Sequence, residues 1–109
     1  MAARLIDGKA LAAEVLASLR PAVAALVARG ARPGLAAILA GDDPASRVYV
    51  RNKVRACEET GVRSELHEFP AQAPEGALLE RVAALNRDPR VHGILVQLPL
   101  PDHIDEQKV

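Results

Sequence analysis

Apolar residues recur in two rhythms along this chain. Leu11, Val15, Leu19, Val23, Leu26 and Val27 fall at helical spacing. They predict a long helix from about Gly8 to Arg29, with Asp7 as its N-cap. Pro21 stands inside that pattern and is expected to kink the helix or split it near Arg20, because proline lacks the N–H that the ladder needs. Gly30 reads as the stop. After the Pro33-Gly34 turn, Leu35 to Ala40 is a short apolar strand. Gly41 to Pro44 is a tight connection in which Asp43 caps the next helix and Pro44 fits its first position. That helix runs to about Thr60 and ends at Gly61. Val62 to Phe69 mixes apolar and charged residues and gives a weaker strand signal. Pro70 to Pro74 is a loop. A third helix is expected from about Glu75 to Asn86, with Leu78, Leu79, Val82 and Leu85 inward. Val91 to Leu98 is the clearest strand, and its continuous apolar run suits burial on both faces of a parallel sheet. Asp102 to Val109 looks like the start of another helix with Asp105 as its cap. A domain rarely ends one turn into an element, so the sequence reads as a shortened chain.

The alternation of helix and strand predicts an α/β fold: a parallel sheet with helices on both faces, three layers in all, joined by right-handed crossovers. The 109 residues make one domain or a fragment of one. There is no internal repeat.

Composition narrows the function classes. Fourteen basic residues balance fourteen acidic ones, and Tyr49 and Phe69 are the only aromatics. A nucleic-acid partner is not expected, since neither a basic excess nor stacking rings are present. No unbroken apolar run approaches the ~18 residues of a membrane span, so no membrane partner is expected. The N-terminus lacks a signal peptide's hydrophobic stretch. Cys57 is the one cysteine, which forbids an internal disulfide and suggests a reducing cytoplasm.

The candidate chemistry lies in two segments. On the middle helix, Ser46, Tyr49 and Lys53 stand at i, i+3 and i+7 and share one stripe. With Val50, Val54 and Cys57 toward the core, that stripe falls at the margin between core and solvent, where a cleft wall would be. A lysine there can be partly desolvated, which lowers its pKa and frees its amine for proton transfer. The same spacing also suits a snorkelling lysine beside a boundary tyrosine. Gln97 interrupts the last strand at its carboxyl end, the edge where open α/β sheets bind ligands. Its amide needs partners: Lys53, a ligand, or a neighbouring loop backbone. Leu98, Pro99 and Pro101 follow as a stiff lip. Asp42 and Asp43 are explained as turn and cap residues, and His67, His92 and His103 share no ligand spacing, so no metal site is expected. Neither a G-x-G-x-x-G turn nor a Walker loop occurs.

Two motifs, Gly41, Pro44-Ala45-Ser46, Tyr49-Val50 and Lys53, then Gly93-Ile94-Leu95-Val96-Gln97-Leu98-Pro99-Leu100-Pro101, resemble those of the bifunctional methylenetetrahydrofolate dehydrogenase/methenyltetrahydrofolate cyclohydrolase family. Ile6-Asp7-Gly8-Lys9 and Leu85-Asn86-Arg87-Asp88 add to the likeness. The resemblance implies an incomplete N-terminal folate-side domain over residues 1–109, with NADP (or NAD) held by a C-terminal Rossmann domain absent from this chain. It implies oxidation of 5,10-methylenetetrahydrofolate to the methenyl form and hydrolysis to 10-formyltetrahydrofolate. Lys53 would be the catalytic amine and Gln97 would tune it. Tyr49 would pack on the folate ring, and Ser46, Leu98 and Pro99 would line the substrate site. The partners implied are tetrahydrofolate derivatives and a second subunit, as a cytoplasmic homodimer.

The family's Lys-Asp-Val-Asp-Gly segment would follow Val109. The expectation for this chain alone is therefore no dehydrogenase activity, weak or no cyclohydrolase activity, and apolar surface left bare. Two other readings use the same residues. Short-chain dehydrogenases share the Tyr-x-x-x-Lys spacing but need a glycine-rich turn that Ala40 to Pro44 does not supply. A non-catalytic interaction domain would leave Lys53 as a surface charge.

Overall fold

A computed structural model describes residues 2–109. Six elements follow in order: α1 (Gly8–Ala28), β1 (Gly34–Ala40), α2 (Pro44–Thr60), β2 (Arg63–Phe69), α3 (Glu75–Arg87) and β3 (Gly93–Val96). The sheet is parallel with order β2-β1-β3. Register pairs Leu39 with Glu68 and Ala37 with Leu66 and Leu95 on one face, and Ile38 with His67 and Val96 on the other. The Ile38 face packs against α3: Ala36, Ile38 and Ala40 form a core with Leu78, Leu85, Leu100 and Ile104. The opposite face carries α2, whose Val50 and Cys57 are buried. The three-layer α/β arrangement expected from the alternation is what the chain adopts.

Local chemistry explains the boundaries. The Asp7 carboxylate accepts from Ala10 N at 3.0 Å, and the Asp43 carboxylate accepts from Ser46 N at 2.9 Å, each satisfying a donor that a helix start leaves free. Gly61 closes α2 at φ +86°, a left-handed conformation that a Cβ would strain.

Three expectations need correction. Helix α1 runs unbroken through Pro21. Both Pro21 and Ala17, whose carbonyl loses its helical donor, lie exposed, so water can take the vacant place. Of the six apolar residues that define the α1 pattern, only Val23 is buried, while Leu11, Val15, Leu19 and Leu26 are exposed. Strand β3 covers only Gly93–Val96, and all four residues are half-buried, because β3 is an edge strand with one paired side. Residues 102–109 form turns rather than a helix. Asp105 Oδ1 does accept from Gln107 N, but the backbone closes i→i+3 bonds only, Ile104 to Pro101 and Lys108 to Asp105.

Helix α1 also revises the membrane argument. By length and composition alone it is apolar enough to cross a bilayer, a property that counting unbroken runs misses because Glu14 and Arg20 interrupt it. Here its C-terminal half packs on α2, where Arg20 Nε donates to the Glu59 carbonyl at 3.1 Å, and beyond the two helix ends Arg32 Nη1 donates to the Gly61 carbonyl at 2.7 Å.

Candidate functional site

Helix α2 and the exit of β3 meet at the carboxyl edge of the sheet. Asp43 sets the start of α2, and Pro44 opens it with a preset φ. From that start, Ser46, Tyr49 and Lys53 advance along one stripe toward β3. Gln97 follows the last residue of β3, and its backbone N–H still donates to the Ile38 carbonyl at 2.9 Å. Its side chain is therefore carried by a backbone tied to the central strand.

Lys53 Nζ donates to Gln97 Oε1 at 2.5 Å, across 44 residues of sequence. The other end of the same amide, Nε2, donates to the Leu98 carbonyl at 3.2 Å. Ser46 Oγ donates to that carbonyl as well, also at 3.2 Å. Two of the partners open for Gln97 in the sequence, Lys53 and a neighbouring loop backbone, are thus realised, one at each end of its amide.

Exposure divides the residues. Lys53 and Gln97 are half-buried, whereas Tyr49 is 55% and Leu98 51% exposed and Pro99 is exposed as well. Ser46 is 1% exposed, with its hydroxyl directed at the protein backbone rather than at solvent. No hydrogen bond joins the Tyr49 hydroxyl to Lys53 among the described residues. The Leu98–Pro99 peptide is cis. The arrangement is an open shelf: a primary amine and a carboxamide form its wall, with an exposed ring and a proline lip beside them. A groove of about 250 Å³ lies elsewhere along α2, between Arg47, Arg51 and Leu66, and includes none of these residues.

Such a shelf can grip a flat ligand by its ring and present an amine to a reacting carbon. The Gln97 oxygen occupies one N–H of Lys53, which fixes the side chain's direction. The neighbouring acids take no part. Asp42 pairs with Arg47, which also reaches Glu68 at 3.3 Å, and Asp43 is spent on the helix cap. Cys57 is buried in the core, and burial, with a smaller contribution from Glu58, pushes its thiol up. The Leu98 carbonyl, the acceptor shared by Ser46 and Gln97, is the participant that sequence reasoning missed. No side-chain pattern marks a backbone acceptor.

Comparison with known proteins gives the family of the chain and its fold. Residues 6–109 match the profile of the tetrahydrofolate dehydrogenase/cyclohydrolase catalytic domain. The chain is 59% identical over 109 residues to the bifunctional protein FolD of Moorella thermoacetica and 61% identical to that of Ralstonia pickettii. It spans 39% and 38% of their lengths. Among solved structures, the Campylobacter jejuni FolD superposes with a TM-score of 0.94 at 45% identity, over 97% of this chain and 38% of that one. The Trypanosoma brucei enzyme, complexed with NADP cofactor and inhibitor, gives 0.92 at 41%, over 98% and 38%. A profile match over nearly the whole chain, on a fold that superposes this closely, means that the chain belongs to the tetrahydrofolate dehydrogenase/cyclohydrolase catalytic-domain family.

Proposed function

We propose that this chain supplies the folate-side groups of a methylenetetrahydrofolate dehydrogenase/methenyltetrahydrofolate cyclohydrolase, with Lys53 as the catalytic amine. The observation that carries the reading is the 2.5 Å contact between Lys53 Nζ and Gln97 Oε1 at the carboxyl edge of the sheet. Tyr49 offers its exposed ring to the folate's fused rings. Leu98 and Pro99 form the lip against which the substrate rests.

The chemistry suits these groups. The methenyl carbon is electrophilic because a cation is shared between two nitrogens. A water oxygen adds to that carbon while Lys53, in its unprotonated form, accepts the water's proton. The carbon's bond to N5 then breaks as the new hydroxyl gives up its proton to close the C=O and N5 takes a proton in exchange, leaving the formyl group on N10 and the proton held by Lys53 to return to water. With Gln97 holding one N–H, the Lys53 amine is tethered at the carboxyl edge of the sheet, beside the open side of the shelf.

The residues of this chain do not fit a dinucleotide. The first strand-to-helix turn is Gly41-Asp42-Asp43-Pro44, and the Asp43 carboxylate already occupies the N-terminus of α2. NADP binding falls instead to the part of the longer enzyme that this chain does not span. The same reading makes that enzyme a cytoplasmic homodimer joined through its cofactor domain.

Titration with a folate analogue, read by the fluorescence of Tyr49, tests the reading. A saturable change is expected, and none up to millimolar ligand would favour a plain interaction domain. The chain alone should show no dehydrogenase turnover and weak or no cyclohydrolase turnover. In the longer enzyme, Lys53→Met should abolish hydrolysis while leaving folate binding measurable, and unchanged turnover would remove Lys53 from the mechanism.

A further inference from the structure

Among the described residues, Ser46 is one of only two buried polar residues, with Thr60. Thr60 is spent within its own helix, donating to the Ala56 and Cys57 carbonyls. Ser46 instead reaches 52 residues along the chain to the Leu98 carbonyl, at 3.2 Å. That carbonyl is also the acceptor for Gln97 Nε2. A glutamine amide can sit either way round, and the wrong way would turn Nε2 toward the Lys53 donor. The sense of the amide is set by what each end can bond. At one end Lys53 requires an acceptor. At the other, the Leu98 carbonyl requires a donor. This second requirement orients Gln97 only if the carbonyl is itself held in place.

We propose that Ser46 is a positioning residue that fixes the Leu98 carbonyl, and through it the sense of the Gln97 amide on which Lys53 rests. The assignment builds on the folate reading and departs from a substrate-contact role for Ser46, whose hydroxyl is buried and already committed to the backbone. Ser46 and Lys53 lie on the same stripe of α2, about two turns apart, so one rigid helix holds both ends of the chain of bonds. The linkage runs Ser46 Oγ to Leu98 O, Gln97 Nε2 to the same oxygen, and Lys53 Nζ to Gln97 Oε1.

The test uses the side-chain amide protons of Gln97 in the 109-residue chain, with exposed Gln72 and Gln107 as internal references. In the unaltered chain the Gln97 amide protons should exchange with water roughly three- to tenfold more slowly than the references, as expected for one retained hydrogen bond. In Ser46→Ala that protection should fall toward the reference rate, and the Lys53 Cε resonance should move, while β1 and α3 backbone amides keep their shifts. Ser46→Thr, which restores a hydroxyl, should recover the protection. Unprotected Gln97 protons in the unaltered chain would overturn the proposal even if Ser46→Ala fails to fold. So would full protection in a folded Ser46→Ala. Tyr49 titration with a folate analogue is read separately, so failure of the folate reading leaves this result standing.

Discussion

Glu65 receives hydrogen bonds from two sides on β2. His67 Nε2 donates at 3.1 Å and Arg63 Nη2 donates to its other oxygen. Arg81 Nη1 donates to His67 Nδ1 at 2.6 Å, which leaves the ring proton on Nε2, facing Glu65. His67 first, and Arg63 second, hold the Glu65 carboxyl below the usual carboxylate range. A carboxylate whose folded pKa is depressed stabilises the fold above its unfolded value, about 4.3, and loses that contribution as pH falls through the folded value. Glu65→Gln should therefore lower the melting temperature at pH 7, with the gap to the unaltered chain closing in acid. A gap independent of pH would contradict the assignment. Cys57 makes a second case: its buried, raised thiol should react with iodoacetamide at least tenfold more slowly in the folded chain than in denaturant, on the order seen between inert and free thiols. The burial of Cys57 and the marginal place of Lys53 were legible from helical spacing. The Glu65 network was not, because an arginine, a glutamate and a histidine in alternation on an edge strand look like ordinary surface until α3 brings Arg81 over them.

At the scale of elements, boundaries set by caps and glycines were readable and tertiary partners were not. Asp7, Asp43 and Gly61 act where local chemistry placed them. Asp43→Ala should cost about 1 kcal/mol of stability by freeing the Ser46 N–H, measured by urea unfolding. Pro21 shows the limit of local reasoning. Its intrinsic cost is about 3 kcal/mol, partly offset by a stiffer unfolded chain. Because α1 is continuous there and Pro21 is exposed, Pro21→Ala should stabilise the chain by about 2 kcal/mol. Gly34 is fixed by packing instead: a Cβ there would overlap the Arg90 carbonyl oxygen, so Gly34→Ala should destabilise by about 1–3 kcal/mol. The length of β3 was overread because an apolar run does not reveal which strand lies at the edge.

Over the whole molecule, the apolar face of α1 is what the sheet does not account for. Leu11, Val15, Leu19 and Leu26 stay 39–54% exposed, and Leu5 and Ile6 more than 80%. Periodicity identified the stripe correctly but could not show that this chain leaves it uncovered. A contiguous apolar face of this kind favours association. The chain should elute from size-exclusion columns in a concentration-dependent manner, and Leu19→Glu should suppress this. A clean monomer at all concentrations with a sharp melt would contradict the expectation. The site itself depends on the whole fold, since Lys53 and Gln97 meet only when α2 and β3 lie on a common strand. The most direct measurement is a folate-analogue titration of isotopically labelled chain, following every side-chain resonance. Saturable shifts concentrated on the Lys53 Cε, the Tyr49 ring and the Gln97 amide are the result predicted. Shifts confined to the groove at Arg51 and Leu66, or none at all, would contradict the assignment of this shelf as the folate site.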